Sequence, residues 1–308
     1  MKKVRAYTIF LLTVFLAIPL LCIQGDALAE QFECGDSPVL CSVIKNKILR
    51  VGINPLFKPF SFPKVVNGQE APDGIDIDIA KLLAKELGVT VKPKKPDDDD
   101  YSKLIPMLQK NEIDIVIAAM SRIFERTKFV DFTISYYPTG TGIMLSTVKC
   151  HELGICEVRS YQELKQKLKL LENEDKLLIA ATRGKAPIKS VCEFFDVPKK
   201  NIIDFEKNED AALATLEVDP KKIAHIKVVE KLPHIMVHDE IFLNTYVREH
   251  REEAMFKLVV FPEPYRSDSY GFAIKKGNQS FLNMLNIFIE DKLYNEGNFK
   301  KFMKKHNP

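Results

Sequence analysis

Residues 74–88 read Gly-Ile-Asp-Ile-Asp-Ile-Ala-Lys-Leu-Leu-Ala-Lys-Glu-Leu-Gly. Ile75, Ile79, Leu82, Leu83 and Leu87 fall at helical spacing, and Gly88 follows where a helix ends on a glycine cap. Upstream, residues 48–54 (ILRVGIN) alternate apolar and polar and predict a strand. Asn67-Gly68 marks a turn between the two. Downstream, residues 89–92 predict a short strand interrupted by Pro93 and Pro96. Leu104, Ile105 and Leu108 make the next helix amphipathic, and residues 113–118 (IDIVIA) predict a buried strand. The order strand, helix, strand, helix, strand is that of a doubly wound α/β lobe. Such sheets bind ligands beyond the carboxyl ends of their strands. That directs attention to the residues after Gly52, near Tyr101 and after Ala118.

A second α/β passage begins at residues 177–181, a strand leading into Thr182-Arg-Gly184. A helix is expected over 185–195, a strand over 201–205 and a helix over 211–216. A strand over 234–237 then runs into a helix over 239–247. Residues 270–274 predict a late strand, and 281–304 a mainly helical end. The acid run Asp97–Asp100 reads as a solvated turn that opens a helix, because acids favour helix N-termini.

At the N-terminus, Lys2, Lys3 and Arg5 precede an apolar run from Ile9 to Leu21, and Ala27-Leu28-Ala29 offers small residues for cleavage. A basic start, an apolar middle and an A-x-A exit are the marks of a secretory signal over residues 1–29. The run is short for a bilayer span, which needs about 20 residues. Cys22 raises a lipoprotein reading, which Leu21 opposes, since a lipobox wants a small residue there. Removing residues 1–29 takes away three bases and one acid, so the formal charge falls from +3 to +1. Such a near-neutral chain offers no electrostatic case for nucleic acid or a membrane surface. The rest of the chain is long enough for two domains.

Cysteine usage agrees with export. Cys34 and Cys41 are close in sequence, as are Cys150 and Cys156, and each pair can close a small loop in an oxidising compartment. Cys192, in the segment SVCEFF, is read as a buried thiol. No CxxC occurs and the six histidines are scattered, so neither a metal nor a cofactor is expected.

Several segments, in order, carry a family likeness. They are Gly74-Ile-Asp-Ile-Asp-Ile-Ala80, Leu104-Ile-Pro-Met-Leu108, Ile113-Asp-Ile-Val-Ile117, Glu125-Arg126 and Val130-Asp-Phe-Thr133. Tyr136-Tyr137, Tyr270-Gly-Phe-Ala-Ile274 and Asn295-Glu-Gly-Asn-Phe-Lys300 complete the set. Together they resemble family 3 of the bacterial extracellular solute-binding proteins, the polar amino-acid receptors of ABC uptake systems. The resemblance implies a periplasmic-binding-protein type 2 fold, with two doubly wound α/β lobes joined by a two-strand hinge. Lobe one would hold residues 30–139 and 273–308, with an N-terminal extension at 30–46. Lobe two would hold 142–267, and the hinge would fall near 139–142 and 268–273. It also implies a periplasmic monomer that partners a membrane ABC permease and closes on a small polar or acidic amino acid or related carboxylate.

The resemblance places the ligand's α-carboxylate on Arg126. A planar guanidinium can donate two parallel hydrogen bonds to a carboxylate, which Lys cannot. Ser121 and the main chain at Ala119 would add hydrogen bonds to the same group. Asp239, at a strand-to-helix junction, would accept from the α-ammonium; its bland reading is a helix N-cap. Phe57 and Tyr101 would form aromatic walls, with core packing as the alternative. Asn54 stands where receptors for basic amino acids often carry an acid, which argues mildly against Lys or Arg as ligand. Lys185, with Arg183, follows the strand at 177–181 and would face a ligand side chain or simply begin a solvated helix. No Ser-His-Asp, Cys-His or paired-carboxylate motif stands out, so no catalysis is expected. Two alternatives on the same fold are a periplasmic dehydratase of cyclohexadienyl acids and a ligand sensor serving a membrane receptor.

Overall fold

The computed structural model describes residues 35–172, 176–182, 195–217, 219–223, 226, 231–254 and 257–306. The expected export signal, Cys22, Cys34, Cys192, Arg183, Lys185 and most of the expected 185–195 helix lie outside the described residues. Residues 37–308 fold as one compact unit.

In chain order the unit begins with α1 (Pro38–Asn46), β1 (Ile48–Gly52) and a hairpin of β2 (Phe62–Val66) and β3 (Gln69–Asp73). It continues with α2 (Ile75–Glu86), β4 (Thr90–Lys94), α3 (Leu104–Gln109), β5 (Ile115–Val116) and β6 (Val130–Phe132). The long β7 (Tyr137–Ser146) leads to α4 (Tyr161–Leu170), β8 (Ile179–Thr182), β9 (Ile202–Phe205) and α5 (Asn208–Leu216). Then come β10 (Ile235–Asp239), α6 (Glu240–Glu249), β11 (Leu258–Val260) and β12 (Arg266–Tyr270). The chain returns through β13 (Ala273–Lys275) and ends in α7 (Gln279–Phe288) and α8 (Asn298–His306), with a π-helical stretch Ile289–Asn295 between them.

The strands make two sheets, and hence two lobes. The first has the order β4-β1-β5-β13-β6, and the second the order β11-β7-β10-β8-β9 with β12 also paired to β7. Both are mixed: β1 is parallel to β4 and β5, whereas β13 runs antiparallel to β5 and β6. The strand expected over 270–274 is two strands. Tyr270 ends β12 opposite Tyr137, and Ala273 begins β13 opposite Val116 and Phe132, so the chain changes sheets at Gly271-Phe272. The antiparallel pair of β7 and β12 is the hinge region that joins the lobes. Pro93 does not interrupt β4 but sits inside it, opposite Val51. β4 is an edge strand, where a missing N–H costs no ladder bond.

The helix that decided the reading is where its pattern put it. α2 buries Ile75, Ile77, Ile79 and Leu83 against the first sheet, each contributing about 1.5–3 kcal/mol on burial. Its N-terminus is capped by the loop that follows β1, because Ile75 N–H donates to Pro59 O at 3.1 Å and Asp76 N–H to Phe60 O at 2.8 Å. Gly74 makes that approach possible: its φ is +130°, and a Cβ there would lie 2.3 Å from Phe60 O. At the acid run, Asp100 accepts from Ser102 N–H at 2.9 Å and opens the turn before α3, as expected. Cys150 and Cys156 form a disulfide with Cα atoms 4.8 Å apart. Among the described residues no helix is long and apolar enough to cross a membrane.

Candidate functional site

The first lobe offers the turn after β5. Ala119 is buried and adopts φ +46°, an uncommon conformation for a residue with a Cβ. Its N–H donates to the Tyr136 hydroxyl at 3.1 Å, and that hydroxyl donates to Asp76 Oδ1 at 2.8 Å. The main-chain donor expected to meet a ligand therefore points inward, held by a buried side-chain pair. Asp76 is wholly buried at the start of α2. Burial pushes its carboxyl up to about 7, against the hydrogen bonds it accepts from Tyr136 and from the Ala119 main chain. Burial likewise raises the Tyr136 hydroxyl well above its ordinary value. Ser121 is buried and bridges to Tyr270 of the hinge.

Arg126 lies in the short 3₁₀ helix Phe124–Lys128 that follows. Its Nη1 donates to Ser121 O at 3.0 Å, and its Cζ stands 5.6 Å from the centre of the Tyr101 ring. The turn and the ring thus fix the guanidinium from two sides, with Nη2 and Nε still able to serve a planar anion. Tyr101 is buried, and burial raises its hydroxyl to about 12. Arg126 opposes that rise, while Asp239, Asp76 and Asp268 add to it.

Asp239 ends β10 and precedes α6; it occupies the N-cap position, but its side chain makes no capping hydrogen bond. It is buried at the mouth of the second sheet. Between the lobes lies a cavity of about 250 Å³, lined by Asn54, Leu56 and Tyr101 from the first lobe and Thr182 and Asn208 from the second. Asp98–Asp100, Glu206 and Lys207 also line it. Neither Arg126 nor Asp239 lines this cavity; Arg126 adjoins its Tyr101, and Asp239 follows His238, which is bonded to its Asn208. Asn54 accepts from Leu56 N–H at 3.4 Å, which orients its amide, and its Nδ2 is buried without a hydrogen-bond partner. Thr182 Oγ1 is buried without a partner as well.

Phe57 is not a wall of the cavity. It is fully buried, stacked on Phe60 at 5.8 Å and on Phe242 at 6.2 Å, with its ring edge-on to Tyr270. Phe242 belongs to α6, so Phe57 packs the two lobes together near the hinge. Thr182, Asn208 and His238 escaped the sequence reading as site residues. In the sequence Thr182 marks only a strand exit, and nothing local distinguishes Asn208 from any polar residue at a helix start. Two groups of metal-ligand type occur among the described residues. Cys150 and Cys156 spend their sulfurs on the disulfide beside His151, and Asp73 and Asp78 beside His306 already pair with Lys64 and Lys305.

The profile of the bacterial extracellular solute-binding proteins, family 3, matches residues 49–308. The chain belongs to that family. The ABC transporter glutamine-binding protein of Bacillus subtilis (strain 168) is 23% identical over 308 residues, covering 99% of this chain and 97% of its own. Among solved structures, an ancestral amino acid-binding protein, a precursor of cyclohexadienyl dehydratase, is similar with TM-score 0.66 and 28% identity. It covers 87% of this chain and 99% of its own. An ancestral arginine-binding protein bound to arginine is similar with TM-score 0.64 and 27% identity, over 85% of this chain and 99% of its own. The family is one of extracellular solute-binding proteins, a binding and not a catalytic class, and the two structural relatives are named for amino-acid binding.

Proposed function

We propose that this family 3 solute-binding protein captures a small polar amino acid between its lobes and delivers it to a membrane ABC permease. The observation that supports the reading is Arg126 held over the buried Tyr101 ring, whose neighbour in the cavity lining, Asn208 of the second lobe, is bonded to the His238 beside Asp239. A zwitterion needs one fixed cation and one fixed anion on opposite sides, and closure then couples to recognition. Arg126 takes the α-carboxylate with help from Ser121, Asp239 takes the α-ammonium, and Tyr101 covers the aliphatic part. Lys185, three residues after Thr182 in sequence, keeps the role of facing the ligand's side chain. Residues 1–29 act as a cleaved export signal. The lobes comprise 30–139 with 273–308, and 142–267.

The side-chain end is set by Asn54. Asn54 lines the cavity and its buried amide nitrogen is a donor without a partner, so it favours a ligand that brings an acceptor, such as an amide or carboxyl oxygen, over a guanidinium or ammonium. A glutamine-binding relative supports this choice, as does an ancestral arginine-binding protein solved with glutamine bound. Calorimetric titration with L-glutamine, L-glutamate and L-arginine tests the reading. Glutamine or glutamate is expected to bind more tightly than arginine; the reverse order would remove the role given to Asn54.

A further inference from the structure

A chain of hydrogen bonds crosses from one lobe to the other beside the cavity. The Asp239 N–H donates to His238 Nδ1 at 2.8 Å, His238 Nε2 meets Asn208 Oδ1 at 2.9 Å, and Asn208 Nδ2 donates to Leu56 O at 3.1 Å. Both ends are main-chain groups with fixed roles: an N–H that only donates and a carbonyl that only accepts. The direction of every bond between them follows. Nδ1 must be the bare nitrogen, Nε2 must carry the proton, and the Asn208 amide must turn its oxygen to His238 and its nitrogen to Leu56. His238 and Asn208 are both buried, and the imidazole packs against Phe57 at 5.6 Å and Phe242 at 4.6 Å. The ring cannot swing away without breaking that packing.

We infer that His238 and Asn208 form a latch that holds the lobes together and sets the position of Asp239. Leu56 lies on the first-lobe loop that also bears Asn54 and Phe57, whereas Asn208 begins α5 and His238 precedes Asp239 on β10. One relay therefore joins the loop that orients Asn54 to the strand end that carries the anionic side of the site. An exposed ion pair between Lys58 and Glu249, at 3.1 Å, crosses between the same loop and α6 but is screened by solvent. The buried relay is the stronger tie, since breaking it strands a buried polar group. His238 and Asn208 are positioning residues: they fix the closed arrangement through which the ligand is held. The effect on affinity rests on the proposed role of Asp239, while the tie between lobes does not.

Asn208→Asp separates the two ends of the latch. It keeps an acceptor for His238 but replaces the donor to Leu56 O with a second oxygen. Small-angle scattering of the ligand-free proteins is expected to give N208D a larger radius of gyration than wild type. Superimposable curves would overturn the tie, whatever the ligand. Calorimetry with L-glutamine as probe is expected to show about ten- to hundredfold weaker binding for N208D, as expected when a buried bond is replaced by an unsatisfied group. His238→Gln, which retains a donor and an acceptor at similar reach, is expected to stay closer to wild type than His238→Ala. Wild-type affinity in N208D would overturn the positioning role. If L-glutamine and every other amino acid fail to bind wild type, the reading of the ligand fails, and scattering still decides the latch.

Discussion

Replacing Asp76 with Asn should make this protein more stable above neutral pH and flatten its pH dependence. Asp76 is completely buried, accepts from Tyr136 at one oxygen, and leaves Oδ2 without a partner. Its carboxyl sits at about 7 in the folded protein against an ordinary value of 3.8. A raised carboxyl means that the folded state holds the proton more tightly than the unfolded state. Between about pH 4 and about pH 7 the unfolded chain ionises while the folded one does not, so stability falls as pH rises. The difference is about 3 pH units at about 1.4 kcal/mol each, or roughly 4 kcal/mol as an upper bound by pH 8. Asn keeps the acceptor for Tyr136 and removes the ionisation; leaving its Nδ2 without a partner costs back about 1–3 kcal/mol. Urea unfolding of wild type and D76N at a series of pH values between 4 and 8 measures the effect. The difference in stability should move in favour of D76N as pH rises. A constant difference across that range would refute the placement of a protonated acid beneath the Ala119 turn.

Gly74→Ala should destabilise the fold by several kcal/mol, because the new Cβ would meet Phe60 O at 2.3 Å in a backbone conformation that L residues avoid; thermal unfolding measures it. Replacing Cys150 and Cys156 together by Ser should lower stability by about 2–3 kcal/mol through loss of a short loop constraint, with amino-acid affinity retained; denaturant unfolding and calorimetry separate the two. Tyr101→Ala should weaken ligand binding by about tenfold or more, by removing the ring under Arg126 and opening the site to water, and equal affinity in titrations would contradict its place in the site.

Helix α2 was legible because five apolar residues repeat on one face and a glycine follows. The strand β7 was not, since eight of its ten residues are buried and both faces are covered, which erases the alternation that announces a half-buried strand. The hairpin of β2 and β3 is mostly exposed and left only its Asn67-Gly68 turn in the pattern. At the site, Arg126, Tyr101 and Asp239 were singled out through ordered motifs, and the structure stands Arg126 over the Tyr101 ring. The turn of the Ala119 N–H toward the Tyr136 hydroxyl was not legible, because Tyr136 lies 17 residues on and no local signal announces a positive φ at an alanine. Phe57 was assigned to the cavity when it belongs to the packing between lobes, where Phe60, Phe242 and Tyr270 from distant parts of the chain surround it. Asn208 and His238 matter only as a pair 30 residues apart, which no spacing rule reveals.

The proposed function stands or falls on Arg126 clamping the carboxylate of an amino acid. Thermal shift of wild type and Arg126→Ala against the twenty amino acids tests it most directly, since binding to the folded state raises its melting temperature by mass action. At least one polar or acidic amino acid should raise the melting temperature of wild type, and the same amino acid should leave R126A unmoved. An equal shift in both proteins would contradict the clamp, and no shift in wild type with any amino acid would contradict the ligand class.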